Sequence, residues 1–178
     1  GKNTSSAFID RENNFWFAMQ GDGVYKLPSL EFKNYFKTEN QNSSAVYSLL
    51  KSGDTLYAGS SGLKVWIINT KTGSMKEHVL GKSSSPGRVI TLNKSGDGSL
   101  LVGSDHAMMK VNEHGVAKAD DVYAAVKSIH VSHETVLVGQ SIAAVSLDAD
   151  NLRTMDTIWW GRTTAVYKKS GHYFIGTL

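Results

Sequence analysis

The amino-acid sequence predicts an all-β fold, a β-propeller fragment of about four and a half four-stranded antiparallel blades. Three observations lead to this prediction: an apolar-apolar-small signature recurs five times, turn-forming residues precede each copy, and helical periodicity is nearly absent. The small residue of the signature stands at positions 18, 59, 103, 139 and 176. These positions are spaced by about 40 residues, which is the length of a four-stranded propeller blade.

The first two strands of each unit are predicted to form a hairpin. Segments 46–49, 89–92 and 126–129 place β-branched or small residues at alternate positions, the two-residue period of a strand. Polar turns follow, among them 51–54 and 94–98, and their Ser-Gly and Gly-Asp pairs supply the positive φ angles of tight hairpins. The apolar-apolar-small run is then the second strand of the hairpin.

A third and a fourth strand complete each full unit. The third strand is apolar and ends in a turn-forming stretch, and the fourth is shorter and more polar, as in 74–79. Segment 117–126 has some helical character, but the repeat assigns it to a fourth strand, a loop and the next first strand. The third strands are predicted at 23–27, 63–68, 108–111 and 144–147.

The repeat makes residues 1–178 a single propeller fragment. Four and a half blades do not make an ordinary six- to eight-bladed ring, and blades hide their faces against one another. We therefore expect the chain to be completed by further blades of a longer parent protein or by a second copy of itself. The blades are predicted at about 4–40, 43–82, 86–118, 121–157 and 161–178, the last being incomplete.

The composition of the chain excludes several kinds of partner and site. The formal net charge is +3 without a cluster of Lys or Arg, so we expect a mixed, solvated surface that binds no nucleic acid. No segment approaches the ~20 apolar residues of a membrane-spanning helix, so no membrane span is expected within this segment. The absence of cysteine excludes disulfides and thiolate metal sites.

Candidate catalytic and metal-binding residues are scarce. Two residues separate His130 from His133. This spacing, at the transition from a strand to a hairpin, defines no metal site without a third ligand. No Ser/His/Asp order, Gly-rich phosphate loop or supported carboxylate pair is present. The sequence therefore predicts no cofactor, no metal and no catalytic residues. We expect a protein that is not an enzyme.

Residues 7–27 resemble the two-component regulator propeller repeat. Asp10, Asn13 and Asn14 take the places of the Asp and the turn in that repeat, 15–18 takes the place of its Trp-containing core, and 23–25 takes the place of its Gly-Leu-Tyr-like third strand. Later units keep the shape with weaker residues, and the signature at position 18 has Ala instead of Gly.

The resemblance implies a periplasmic sensor region of a hybrid two-component system of the Bacteroides type. Regions of this kind respond to carbohydrate fragments, so the resemblance implies an oligosaccharide or another small ligand as a partner. Two other functions are weighed against this one. A protein-binding scaffold of the WD40 type is the first alternative, and a propeller lyase or glycosidase, which requires two acids and a histidine at one channel mouth, is the less favoured one.

A ligand site is expected on one face of the propeller, where the loops between second and third strands and the connections between blades emerge together. Asp120 and Asp121 fall in one such connection. Trp159 and Trp160 adjoin Arg162 near the junction of two blades, where an exposed tryptophan beside an arginine favours a sugar or protein partner. Packing against a neighbouring blade is the alternative for both tryptophans. The residues predicted to contact a ligand are Trp159, Trp160, Arg162, Gln20, Asp105, His106, Gln140 and Arg88.

Overall fold

The chain is all-β. A computed structural model describes residues 4–21, 23–28, 45–81 and 87–177. These ranges contain seventeen strands and no helix, which confirms the predicted fold class, including the assignment of 117–126 as non-helical. Within the same ranges, accordingly, nothing has the length and hydropathy of a membrane-spanning helix. The chain divides into two compact units, Gly1–Gln41 and Asn42–Leu178.

The first unit contains one antiparallel sheet, here called sheet 1. In the described residues it has the strands β1 (Thr4–Ile9), β2 (Phe15–Met19) and β3 (Gly23–Leu27), paired in sequence order. The fourth strand that the repeat predicts for this unit falls outside the described residues.

The turn between β1 and β2 is organised by Asp10. Its Oδ1 accepts hydrogen bonds from the backbone N–H groups of Glu12 and Asn14, both at 2.9 Å. Its Oδ2 accepts one from Nε1 of Trp16 at 2.8 Å. The hydrogen bond from Trp16, followed by those from Asn14, holds the pKa of Asp10 well below its usual range. The Asp, Asn and Trp on which the family resemblance depends are thus one hydrogen-bonded turn.

The second unit contains four antiparallel sheets whose strands pair in sequence order. Among the described residues, sheets 2, 3 and 4 have four strands each and sheet 5 has two. The strands of sheets 2 and 3 are β4 (Val46–Ser52), β5 (Thr55–Ser60), β6 (Lys64–Asn69), β7 (Met75–Val79), β8 (Val89–Lys94), β9 (Leu100–Ser104), β10 (Met108–Asn112) and β11 (Gly115–Lys118). Those of sheets 4 and 5 are β12 (Val126–Ser132), β13 (Thr135–Gln140), β14 (Ala143–Asp148), β15 (Thr154–Trp160), β16 (Thr163–Lys169) and β17 (His172–Thr177).

The sheets of the second unit face one another in the order of the chain. Each first strand contacts the next one: β4 contacts β8, β8 contacts β12, and β12 contacts β16. Apolar clusters fill the spaces between neighbours, around Val89 for sheets 2 and 3, Met108 for sheets 3 and 4, and Leu137 for sheets 4 and 5. Sheets that face one another and meet along their first strands are packed as propeller blades are.

The glycine of the repeated signature is explained by this packing. A Cβ added at Gly59 would overlap Val89 in the next sheet, and one added at Gly103 would lie 2.5 Å from Cγ1 of Val126. At Gly139 it would lie 2.9 Å from Cγ2 of Thr163. In sheets 2, 3 and 4 the second strand therefore needs a glycine where the first strand of the next sheet crosses it.

Every first strand of the second unit carries a register shift near its start. In β4 and β12 the shifts lie at Val46/Ser48 and Val126/Ser128. In β4 and β12 the side chain after the shift binds the next sheet: Oγ of Ser48 donates to the carbonyl of Val89 at 2.9 Å, and Oγ of Ser128 accepts from the N–H of Val166 at 3.3 Å. Bulges of this kind re-aim side chains, and here they add polar contacts to the apolar packing between sheets.

Candidate functional site

The loops and connections that were predicted to share a face lie beside one another in the second unit. The N–H of Ser61 donates to the carbonyl of Ala45 at 3.2 Å, and that of Ser141 donates to the carbonyl of Ala125 at 2.9 Å. Each hydrogen bond joins the loop between second and third strands to the connection that precedes the first strand of the same sheet. Arg88, Asp105 and His106 of sheet 3 lie in the corresponding loop and connection, and Gln140 of sheet 4 lies at the end of β13, next to Ser141.

In sheet 3 the junction is closed by an ion pair between Arg88 and Asp105. Oδ2 of Asp105 accepts from the backbone N–H of Arg88 at 2.8 Å and from its Nε at 3.0 Å, and Oδ1 accepts from Nη2 at 2.7 Å. These hydrogen bonds lower the pKa of Asp105 and raise that of Arg88. The guanidinium also lies 5.5 Å from the ring centroid of Tyr47. Because both carboxylate oxygens of Asp105 already accept hydrogen bonds from Arg88, the pair is better suited to fixing the loop than to binding a ligand.

His106 follows Asp105 in the same loop. Its backbone N–H donates to Oγ of Ser104 at 3.3 Å, and its side chain is exposed to solvent. The histidine thus lies next to the ion pair on the predicted face, and it is available at the surface.

Gln140 is buried at the end of β13, beside a groove of about 210 Å³. It pairs with Val126 across the sheet, and its side chain is only 2% exposed. Its Oε1 has no hydrogen-bond partner among the described residues. A buried polar oxygen without a donor costs free energy until a ligand or a water molecule supplies one. The groove therefore contains a group that requires a hydrogen-bond donor.

The rim of this groove is aromatic and acidic. Trp160, at the end of β15, is 73% exposed, and Tyr123, in the connection between sheets 3 and 4, is 68% exposed. Asp121 lies in the same connection. Oγ1 of Thr154, on the strand that bears Trp160, is a second buried oxygen without a partner in the described residues. The lining is completed by Ile142, Ala143, Val145 and Thr157.

The two adjacent tryptophans have different surroundings. Trp160 pairs with Ala143, which belongs to the cluster between sheets 3 and 4. Trp159 pairs with Ala144, which belongs to the cluster between sheets 4 and 5, and Trp159 does not line the groove. Both lie within β15 rather than in the connection after it, and both are exposed, Trp159 by 48%.

Two predicted residues remain. Arg162 is exposed in the connection between sheets 4 and 5 and does not line the groove, and Gln20 is exposed in the turn between β2 and β3 of the first unit. The structure thus brings Gln140 together with Trp160, and Arg88 together with Asp105. Tyr123 and Thr154 also line the groove and were not predicted from the sequence. Val122 is buried, whereas its neighbours Asp121 and Tyr123 are exposed. This alternation directs the side chain of Tyr123 outward.

No group of three or more His, Asp or Glu side chains is arranged to hold a metal ion within the described ranges.

Comparison with known proteins identifies the fold. No family model matches the sequence, and no curated protein matches it. Among solved structures, the computationally designed protein Ika8 matches with a TM-score of 0.66 and 14% identity, over 98% of this chain and 55% of that chain. The computationally designed protein Ika4 matches with a TM-score of 0.61 and 15% identity, over 83% of this chain and 99% of that chain.

Two matches are natural proteins from B. thetaiotaomicron, both extracellular domains assigned to hybrid two-component systems. The domain of BT3049 has a TM-score of 0.61 and 16% identity, and that of BT4673 has a TM-score of 0.59 and 10% identity. Each match covers 98% of this chain, but only 26% of the BT3049 domain and 30% of the BT4673 domain. At these identities the likeness shows a β-propeller-like fold, and the chain spans less than a third of either domain.

Proposed function

We propose that this chain belongs to the periplasmic sensor propeller of a hybrid two-component signalling protein and that it binds an oligosaccharide without catalysing a reaction. The observation that carries the proposal is a groove lined both by Gln140, which has a buried, unpartnered amide oxygen, and by the exposed Trp160. The extracellular domains of two hybrid two-component systems share the fold, which supports an extracytoplasmic sensor.

The groove has the chemistry that a sugar requires. A sugar ring presents an apolar face of C–H groups and an edge of hydroxyl groups. Trp160 offers a flat ring to the former. Gln140 and Thr154, which line the same groove, each have a buried oxygen without a partner that is able to accept a hydrogen bond from the latter. A hydrogen bond from a ligand to either oxygen would offset a desolvation cost that the free protein already incurs.

The sensor we propose is larger than this chain. The chain covers 26% and 30% of the two extracellular domains that it matches. Further blades of the parent protein, or a second copy of the chain, would then complete the propeller.

The test is titration calorimetry of the 178-residue chain against a panel of plant and host oligosaccharides. We expect at least one to bind, and Trp160→Ala to weaken it about tenfold or more, which corresponds to ~1.4 kcal/mol. Trp159→Ala is the matched control, because that ring lies outside the groove, and we expect it to leave the affinity unchanged. Silence of the whole panel, or equal losses for the two variants, would refute the proposal.

A protein-binding scaffold is the second candidate, favoured by apolar side chains that β15 leaves exposed. Met155 is 60% exposed and Trp159 is 48% exposed, and neither lines the groove. Exposed tryptophans are frequent anchors of protein interfaces. A protein partner whose affinity falls with Trp159→Ala and not with Trp160→Ala would favour the scaffold over the sugar sensor.

A further inference from the structure

The charge around the groove beside Gln140 is one-sided. Asp121 contributes a carboxylate, and no Lys, Arg or His side chain is present among the described residues that line the groove. Asp121 is exposed in the connection between sheets 3 and 4, and no ion pair joins it to another described residue. A carboxylate that faces a groove without a cation of the protein is available to a cation of a ligand.

The uncharged polar groups of the groove also favour a ligand that donates hydrogen bonds. Oε1 of Gln140 is an acceptor only, and Oγ1 of Thr154 is able to accept as well as donate. Together with the carboxylate of Asp121, the groove presents acceptors of three kinds. An ammonium group carries three donors and no acceptor, so it matches this set better than a neutral hydroxyl, which has one donor.

The aromatic rim adds to the same preference. Trp160 and Tyr123 both line the groove and are both largely exposed. Electron-rich ring faces attract cations, tryptophan most strongly, while they also pack against the apolar face of a sugar ring. The groove has a volume of about 210 Å³.

We propose that the groove beside Gln140 binds an amino sugar, with the ammonium group at Asp121 and the buried Oε1 of Gln140, and with the ring against Trp160. This inference rests on the proposed function, since it takes the ligand to be a carbohydrate, and it adds the chemical class. The recognised sugar is one with a free, protonated amine. Its N-acetylated form lacks the charge and two of the donors, and a neutral hexose lacks the amine altogether.

The test compares three ligands of equal length and linkage on the intact chain: the β-1,4-linked trimers of glucosamine, N-acetylglucosamine and glucose. Titration calorimetry is expected to rank the glucosamine trimer first by about tenfold or more. Raising the ionic strength from 0.05 M to 0.5 M is expected to weaken the glucosamine trimer alone, because salt screens an exposed ion pair.

Asp121→Asn is the decisive variant, and Asp120→Asn is its matched control, since Asp120 is an adjacent exposed carboxylate that does not line the groove. We expect Asp121→Asn to weaken the glucosamine trimer about tenfold and Asp120→Asn to change it less than twofold. Both positions are exposed, so thermal unfolding is expected at the wild-type temperature for both variants, which separates loss of binding from loss of fold.

The outcomes distinguish this inference from the function on which it rests. If all three trimers bind equally, lose affinity with Trp160→Ala and ignore Asp121→Asn, the sugar sensor stands and the amino-sugar site is refuted. If 1,4-diaminobutane binds as tightly as the glucosamine trimer, the groove recognises amines without the sugar ring, and the amino-sugar assignment is overturned. If none of these compounds binds and another member of the oligosaccharide panel does, the amino-sugar assignment is refuted, and Trp160→Ala with its Trp159→Ala control decides whether the groove is the site. If nothing binds, both proposals fail.

Discussion

The interface between sheets 2 and 3 resembles the interface between sheets 3 and 4 at the second strand and differs from it at the third strand. In both, a glycine of the second strand lies against a valine that begins the next sheet, Gly59 against Val89 and Gly103 against Val126. The difference lies on the third strand. Ile67 of β6 pairs with Tyr57, and Lys110 of β10 pairs with Leu101. Because Tyr57 and Leu101 each lie two residues before the glycine of the signature, Ile67 and Lys110 occupy equivalent positions.

Lys110 bridges sheets 3 and 4. Its Nζ donates to the carbonyl of Ala149 in the turn of sheet 4 at 2.8 Å, and it forms an ion pair of 2.9 Å with Asp97 in the first turn of sheet 3. The lysine side chain is 8% exposed, whereas that of Asp97 is 48% exposed. A buried ammonium with a carbonyl and a carboxylate as partners is satisfied, so the charge acts as a connection between the two sheets.

The equivalent region between sheets 2 and 3 is left as a cavity of about 220 Å³. Ile67, Val65 and Leu100 are among its lining residues. Two residues that line this cavity make a cation–π contact across the interface, with the cation on sheet 3. Nζ of Lys94 in sheet 3 lies 4.8 Å from the ring centroid of Tyr57 in sheet 2. The repeat thus specifies the glycine contact, while residues outside the repeated signature determine how the rest of each interface is closed.

The largest expected effect would break the shared part of both interfaces. Gly59→Ala and Gly103→Ala place a Cβ against Val89 and Val126 of the next sheet, and also against Ser48 and Thr91 of their own sheets. We expect each to lower the free energy of unfolding by about 2–3 kcal/mol. Gly139→Ala isolates the contact between sheets, because its Cβ would lie 2.9 Å from Cγ2 of Thr163 in the next sheet and 3.6 Å from Cβ of Ser128 in its own. Gly176→Ala is the control, because the nearest atom to its Cβ would be Cβ of Ala165 in its own hairpin, at 3.2 Å. Urea denaturation measures all four. Equal losses at Gly139 and Gly176 would show that contact between sheets is not the reason for the glycine.

The sequence predicted this shared part well, because the glycine and the period of about 40 residues are both consequences of one close contact between sheets. It did not predict the register shifts at the start of the first strands, since neither Ser48 nor Ser128 differs from an ordinary strand residue until the next sheet is placed. Nor did it predict the role of Lys110. Its partners are two backbone carbonyls near Ala149 and a turn carboxylate, and a sequence pattern does not show which carbonyls a fold brings together.

The candidate site was predicted in part for a similar reason. Gln140 and Trp160 were found because their places in the repeat put them on the face of loops and connections. Their meeting in one groove depends on the register of β14 and β15, which is shifted between Ala144 and Val145. Thr154 was missed because a threonine in a fourth strand is ordinary until its Oγ1 is seen to be buried without a partner.

A smaller effect is expected from the bridge that distinguishes the second interface. Asp97→Asn leaves the buried ammonium of Lys110 without its carboxylate, and we expect a loss of about 1–2 kcal/mol, limited by the exposure of Asp97. Lys110→Met removes the charge together with its need for partners, and we expect it to cost less. The double variant should then cost no more than Lys110→Met alone. Urea denaturation of the three proteins measures this, and strictly additive losses would contradict a direct interaction.

The pH dependence of stability should follow the same bridge. The hydrogen bond from Lys110, with that from the N–H of Ser99, holds the pKa of Asp97 well below its usual range. A carboxyl with a depressed folded pKa stabilises the fold above its unfolded pKa of about 3.9, and this contribution is lost as the pH falls further. The free energy of unfolding should therefore fall less steeply between pH 5 and pH 3 in Asp97→Asn than in the wild-type chain, at about the same ionic strength.

The smallest expected effect concerns the contact that closes the first interface. Tyr57→Leu removes the ring beneath Nζ of Lys94, and we expect it to cost about 0.5–1 kcal/mol. Tyr57→Phe keeps the ring and should be nearly neutral, so the pair of variants separates the ring from the phenol group. Lys94 also donates to the carbonyl of Gly98 at 2.7 Å within its own sheet, and the ammonium therefore stays in place when the ring is removed. If Tyr57→Leu and Tyr57→Phe have the same stability, the ring contributes nothing across this interface, and its closure rests on the apolar cluster alone.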